Sequence, residues 1–483
     1  MTDEVIKIKK TRDELNKVSP SFCLAKWYQS TLHLQYGHTH SCHHPRTHQV
    51  PIDELKTNPS ALHNTEYKKS QRQLMLKGVR PPECQYCWNV EDLGPEHYSD
   101  RSSKSHEPWA KPLLNSTAKM DGSENVNPTY LEVSFSNVCN LKCSYCSPAY
   151  SSSWMEEIQS QGAYPTSDQF NNLHWLKSQG KMPIPHREEN PYVDAFWKWW
   201  PDLYKTLKVF RITGGEPLLS KDTFKVLDYI NKNPRPELEL AINSNGCVPD
   251  KLFNQYIEKM KRITLDEKIG LTRLYTSVDT YGQQAEYIRD GLNFNQWYDN
   301  ICRVLEELPL TKITVMCTTG LLSLPNLHKL LELIAPLKTQ FYSDFRRVPI
   351  TIDTAILRHP SYLSAVVGPT NYSTMLNKAI NVMNINAETH NNPYKGFFDF
   401  EIAKLKRFQE YVAAGPNPGE RLNIQQVRKD FVSYIDEYDK RRNKNFCKTF
   451  PELEEFYLQQ KWEDIIWIKK KDIPNMVTVV LKK

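Results

Sequence analysis

Cys139, Cys143 and Cys146 sit in the stretch Asn137-Val-Cys-Asn-Leu-Lys-Cys-Ser-Tyr-Cys146, a C-x3-C-x2-C spacing. The stretch directly follows Tyr130-Leu-Glu-Val-Ser-Phe135, which reads as a strand. Three thiols this close offer soft ligands to a metal. Three is one short of the four that a closed site takes. An iron held this way keeps an open coordination position, and open positions go with reaction rather than scaffolding. On the spacing alone, a zinc site or a set of unligated core thiols is the other reading.

Further candidates recur at the ends of apolar runs. Lys208-Val-Phe-Arg-Ile-Thr213 leads into Gly214-Gly-Glu-Pro217. Two glycines let backbone carbonyls approach a ligand closely, and Glu216 offers a negative charge to an ammonium. A plain strand-to-helix turn is the simpler alternative. Leu238–Ile242 leads into Asn243-Ser-Asn-Gly246, and Leu274-Tyr-Thr-Ser-Val-Asp279 is followed by Gln284-Ala-Glu-Tyr-Ile-Arg289 and Gly291. With Lys312–Cys317 and Pro349–Leu357, these make six strands at βα spacing. Such spacing implies a parallel sheet, whose ligands bind at the carboxyl ends of the strands.

Taken together, the motifs resemble those of the radical S-adenosylmethionine (SAM) enzymes, over about residues 128–360. The resemblance implies an α/β fold, a partial (β/α)6 TIM-like barrel. It also implies that Cys139, Cys143 and Cys146 bind a [4Fe–4S] cluster whose fourth iron takes the amino and carboxylate groups of SAM. Tyr145 then lies beside the adenine. Gly214, Gly215, Glu216 and Pro217 grip the SAM amino group. Asn245, Ser277 and Asp279 contact the ribose and carboxylate, and Arg289 is the candidate partner of that carboxylate, which a guanidinium fork suits. The implied chemistry is reductive cleavage of SAM to a 5′-deoxyadenosyl radical, which abstracts hydrogen from a substrate.

A second set of cysteines precedes the barrel: Cys23, then Gly37 and Cys42 as C-x13-G-x4-C, then Cys84-Gln-Tyr-Cys87. Four cysteines suffice for a closed site. The pattern resembles the twitch and SPASM domains of radical SAM enzymes, which hold auxiliary [4Fe–4S] clusters. Four such cysteines match twitch, although in most relatives that domain follows the barrel. His33, His38, His40, His43, His44 and His48 crowd around Cys42, so a zinc site of mixed Cys and His ligands stays open. The wider alternative is a zinc-bearing module that binds nucleic acid or protein without radical chemistry.

Three regions are expected: a Cys/His-rich auxiliary-cluster domain with linker over 1–127, the barrel over 128–360, and a helical extension over 361–483. In the extension, Phe431, Tyr434, Ile435 and Tyr438 fall at helical spacing. An insertion between the cysteine motif and the second barrel strand contains Trp154, Trp175 and Phe196-Trp-Lys-Trp-Trp200. It reads as a helix on the barrel wall in preference to a substrate lid. Formal net charge is +6, from 62 basic and 56 acidic residues that are interspersed, which gives no indication of nucleic-acid binding. No apolar run approaches the ~20 residues of a membrane span. Eleven cysteines, at least seven of them clustered in motifs, fit metal ligation in a reducing, cytoplasmic setting. The resemblance implies an electron donor such as flavodoxin or ferredoxin. A peptide or protein is the first candidate substrate, and a small metabolite or nucleotide the second.

Overall fold

The computed structural model describes residues 3–343, 348–369, 372–415 and 423–472, those from 463 on as backbone alone. The end of the expected helical extension, 473–483, lies outside the described residues. In chain order the strands are β1 (Gln29–His33), β2 (His38–His40), β3 (His48–Gln49), β4 (Tyr130–Ser134), β5 (Lys142–Cys143), β6 (Val209–Thr213), β7 (Arg235–Ser244), β8 (Ile269–Ser277), β9 (Arg289–Asp290), β10 (Thr311–Thr319) and β11 (Ile350–Ile356). All six strands read from the sequence form. β8 begins at Ile269 rather than Leu274, because Thr272 and Leu274 continue its buried alternation backwards.

The chain divides into two compact units. The first comprises Met1–Cys139, Lys177–Ser244 and Val248–Leu274. Its strands run in the order β3-β2-β1-β4-β6-β7-β8. β1 pairs parallel with β4, from Gln29 opposite Tyr130 to His33 opposite Ser134. β4, β6 and β7 continue in parallel register. Leu131 and Val133, Phe210 and Ile212, and Leu240 and Ile242 share one face, and all are buried. The opposite face is polar: Glu132 stands beside Arg211, whose Nε donates to Asn243 at 2.9 Å.

The apolar face explains the tryptophan-rich insertion. Asn190 caps a helix over Pro191–Thr206, its side chain accepting from the amides of Tyr192 and Val193, with Pro191 at the first turn. Phe196, Trp199 and Trp200 are buried, with Trp200 5.0 Å from the Phe210 ring and Phe196 5.0 Å from Phe135. The helix is therefore a wall element, as its aromatic stripe suggests.

The second unit comprises Asn140–Leu176, Asn245–Cys247 and Tyr275–Lys483. It holds the end of β8, the parallel pair β10–β11, and the small antiparallel pair β5–β9. Helices follow over Leu327–Gln340, Tyr372–Ile385, Asp399–Ala414, Ile424–Arg442 and Pro451–Asp472. Among the described residues, no helix is long and apolar enough to cross a membrane.

A buried ion pair ties this extension to the sheet. Lys338 Nζ donates to both oxygens of Glu401 (3.0 and 2.9 Å) and to the Ile350 carbonyl (3.0 Å). Glu401 in turn accepts from the amides of Ile352 and Phe398, at 2.7 and 2.8 Å. Lys338→Met strands a carboxylate in the interior, and breaking a buried pair costs about 3–5 kcal/mol. Thermal melting of the single variant should show a marked drop. The Lys338→Met/Glu401→Gln double variant should recover part of it, and equal melting of wild type and single variant would refute the account.

Candidate functional site

In the second unit, Asp279 is the hub. It lies just past the end of β8, fully buried. Arg289 forks onto it, Nε to Oδ2 at 2.8 Å and Nη2 to Oδ1 at 2.9 Å. The Tyr145 hydroxyl donates to both carboxylate oxygens, at 3.1 and 2.9 Å, and the Thr318 amide donates to Oδ1 at 2.9 Å. The remaining guanidinium nitrogen, Nη1, lies 3.6 Å from Cys143 Sγ. Burial opposes charge on Arg289, but Asp279, Tyr145 and Cys143 together outweigh it and drive the pKa up. Burial pushes the Cys146 thiol up to about 12, and Cys143 adds to the push. Cys143 is raised by burial too, while Arg289 pulls it back toward the thiolate.

Four of the expected site residues, Cys143, Tyr145, Asp279 and Arg289, thus meet in one buried assembly. Its members come from the cysteine loop, the ends of β8 and β10, and β9. The soft sulfurs and the guanidinium beside one of them fit an iron–sulfur ligand set, since a hydrogen bond to sulfur favours and tunes the thiolate. Beside Tyr145, Ser144, Ile288, Thr318, Gly320, Leu322, Ser323, Leu357 and Leu363 line a small cleft that is partly open to solvent. Asn245 sits in a turn in which its own Oδ1 accepts from the Cys247 amide, and its Nδ2 donates to Asn140 Oδ1 at 2.9 Å. Ser277 ends β8 and is half-buried.

Cys139 closes the first segment of the first unit. Here the Gly-Gly-Glu-Pro motif packs on the chain leading to it. The Gly215 amide donates to Ser136 O (3.1 Å) and the Glu216 amide to Val138 O (2.8 Å). A Cβ on Gly215 would stand 2.4 Å from Val138 O, and one on Gly214, at φ +124°, would stand 2.6 Å from Ser134 Oγ. The glycines are therefore required by backbone packing against residues 134–138. Pro217 starts a short 3-10 turn, and the buried Glu216 carboxylate caps it, accepting from the Leu218 amide (3.0 Å) and from Ser244 Oγ (2.8 Å).

Elsewhere in the first unit, Cys23, Cys42, Cys84 and Cys87 line one pocket, together with Lys26, His44, Asp100 and Arg101. About 380 Å³ of non-atom space, part of it open to solvent, lies among them. Burial pushes all four thiols up, Cys87 to about 12. Each is raised further by a neighbour, for example Cys23 by Cys84 and Cys87 by Cys23. Sulfurs that oppose one another's ionisation need a cation before they become thiolates together.

Of the six nearby histidines, His44 lines this pocket, bonded to Asp100 at 2.7 Å. Its ligand nitrogen, Cys42 Sγ and an Asp100 oxygen all lie within 4.8 Å of one another. His33, His38 and His40 lie on β1 and β2, held neutral by burial with pKa values near 3, 4 and 2. His43 bonds Gln29 and His48 bonds Thr65, both at 3.1 Å.

Residues 133–335 match the Radical SAM superfamily. The chain is also similar to proteins named GTP 3′,8-cyclase. That of Aliarcobacter butzleri is 27% identical over 159 residues, covering 32% of this chain and 36% of the relative. That of Clostridium acetobutylicum is 28% identical over 170 residues, covering 35% and 40%. That of Desulforamulus reducens is 26% identical over 206 residues, covering 41% and 49%. The chain thus spans between about a third and a half of the length of these relatives. Residues 133–335 are a domain of the radical SAM superfamily, and the cofactors that go with it are a [4Fe–4S] cluster and SAM.

Proposed function

We propose that the protein is a radical SAM enzyme with a second, auxiliary [4Fe–4S] cluster of twitch type. Cys139, Cys143 and Cys146 hold the first cluster; Cys23, Cys42, Cys84 and Cys87 hold the second. The observation that carries the first assignment is the buried assembly joining Cys143 to Arg289, Asp279 and Tyr145, which a zinc-binding module does not need. The auxiliary site is supported by four mutually opposed thiols lining one pocket. On this reading residues 1–127 form the auxiliary domain, 128–360 the barrel and 361–483 an extension of it.

When bound, the cluster supplies the electron that cleaves SAM to the 5′-deoxyadenosyl radical, drawn from a donor of the flavodoxin or ferredoxin class. The chain's part is binding and orientation. Tyr145 offers its ring to the flat adenine. The Asn245-Gly246 turn and Ser277 offer polar groups to the ribose and carboxylate, and Glu216 offers charge to the amino group. The comparisons lend a peptide or protein substrate no support. The stretch shared with the GTP 3′,8-cyclases covers too little of either chain to carry over their substrate.

A triple Cys139/Cys143/Cys146→Ala variant should fold and form no 5′-deoxyadenosine from SAM under dithionite. About four irons per chain should stay on the N-terminal cysteines. Residual 5′-deoxyadenosine would refute the first assignment. One zinc and no iron would favour the second reading of the N-terminal site, in which Cys42, His44 and Asp100, close enough to share a single ion, supply ligands.

Arg289 is the sharpest test of how the SAM carboxylate is held. Both prongs of its fork are engaged with Asp279, so Arg289→Ala should leave a buried carboxylate uncompensated. That costs about 3–5 kcal/mol of stability and lowers the melting temperature. Arg289→Lys should retain charge balance and lose the two-pronged geometry. An alanine variant that melts like wild type and loses only SAM affinity, by roughly 1.5–3 kcal/mol, would make Arg289 a direct carboxylate ligand instead.

A further inference from the structure

Four successive carbonyls of the cysteine loop are each capped by a side chain of the second unit. Leu141 O accepts from Ser151 Oγ at 2.7 Å, Lys142 O from Arg442 Nη1 at 2.7 Å, Cys143 O from Trp154 Nε1 at 2.9 Å, and Ser144 O from Tyr434 Oη at 2.7 Å. Two of the four donors stand on the helix Ile424–Arg442, far along the chain. A helix that merely covered apolar surface would need none of these bonds.

The donors are themselves held. Arg442 forks onto Glu157, at 3.1 and 3.2 Å, with its guanidinium 4.0 Å from the Tyr438 ring centre and 4.7 Å from that of Trp154. Tyr434 packs beside Tyr164 and Tyr362, ring centres 4.9 and 4.8 Å away, and is fully buried. The Tyr438 hydroxyl donates to Tyr287 O, two residues before Arg289. Lys444 Nζ, just past the helix, pairs with Asp290 at 2.8 Å. The helix therefore grips both β5 and β9, the strands that carry Cys143 and Arg289.

A trans peptide is planar, with its N–H directed opposite to its carbonyl. Fixing the carbonyls of residues 141–144 thus fixes where the amides of 142–145 point; that of Ser144 donates to Ile288 O at 2.7 Å, and that of Tyr145, next to Cys146, is the one the Tyr434 bond governs. Hydrogen bonds to the sulfurs are among the determinants of a cluster's reduction potential. We infer that the helix Ile424–Arg442 is a positioning element for the cysteine loop, with Tyr434 and Arg442 as positioning residues that set the potential of the cluster bound there. The inference rests on the proposed assignment of Cys143 and Cys146 to that cluster.

Tyr434→Phe in the full-length, iron-loaded protein removes one hydrogen bond and leaves the ring. The SAM-site cluster is recognised as the one whose reduced EPR spectrum changes when SAM is added. Its midpoint potential, followed by EPR-monitored titration, should shift in Tyr434→Phe and its spectrum should change, at a melting temperature close to wild type. Tyr457→Phe is the structural control, because it cuts a bond from a neighbouring helix to Asp436 on the same helix. It should leave potential and spectrum as they were. An unshifted potential in Tyr434→Phe, or equal shifts in both variants, overturns the inference. A wild-type protein with no SAM-responsive cluster overturns the parent assignment instead.

Discussion

A carboxylate with no exposed surface is costly unless every lone pair is met, and Asp279 is such a group. It collects the Arg289 fork, the Tyr145 hydroxyl and the Thr318 amide. These donors come from β9, the cysteine loop and β10, so one charge fixes three elements that the chain delivers at widely separated points. Cys143 then inherits its surroundings: the guanidinium that satisfies Asp279 has one nitrogen left to face sulfur. Moving any one of these partners leaves another buried and unpaired, which is why the assembly behaves as a unit.

The same economy shapes the motif around Glu216. Gly-Gly-Glu-Pro looks like a ligand-gripping turn, but in this chain its tightest approach is to backbone. Gly215 and Gly214 have no room for a Cβ because residues 134–138 pass beneath them, and two amides of the motif are spent on that crossing. Local conformation, rather than ligand contact, is enough to require both glycines. Glu216 remains the one charged group of the motif, and Ser244 and the Leu218 amide set its orientation.

Six barrel strands were legible because strands of a parallel sheet are mostly apolar runs bounded by turns, as in Lys208–Thr213 and Lys312–Cys317. β1 was not. Gln29-Ser-Thr-Leu-His33 has one aliphatic residue, and its pairing with Tyr130–Ser134 on one side and His38–His40 on the other makes it a strand. Tyr434 falls at helical spacing in the sequence, and it stands on a helix, where it is buried. Its bond to Ser144 O, 290 residues away, leaves no local signal. Arg289 was legible as a candidate by type and place. Its partner was not, because periodicity cannot tell which carboxylate a guanidinium meets.

The N-terminal pocket poses a question of charge. Its two cations are already spoken for: Lys26 is paired with Glu83, and Arg101 forks onto Glu91 at 2.9 and 3.0 Å. Burial opposes charge on Lys26, but Cys84 and Glu83 together outweigh it and raise its pKa to about 12. Burial also keeps His43 neutral, with a pKa near 4. Cations already paired with carboxylates cannot supply the positive charge that four buried thiolates require. On the proposed reading that charge comes from the metal centre itself, and assembling the site releases the thiol protons as the metal enters. On the same reading the pocket's chemistry is closed on its own ligands, which would separate it from the three-cysteine loop, where three ligands leave one position open.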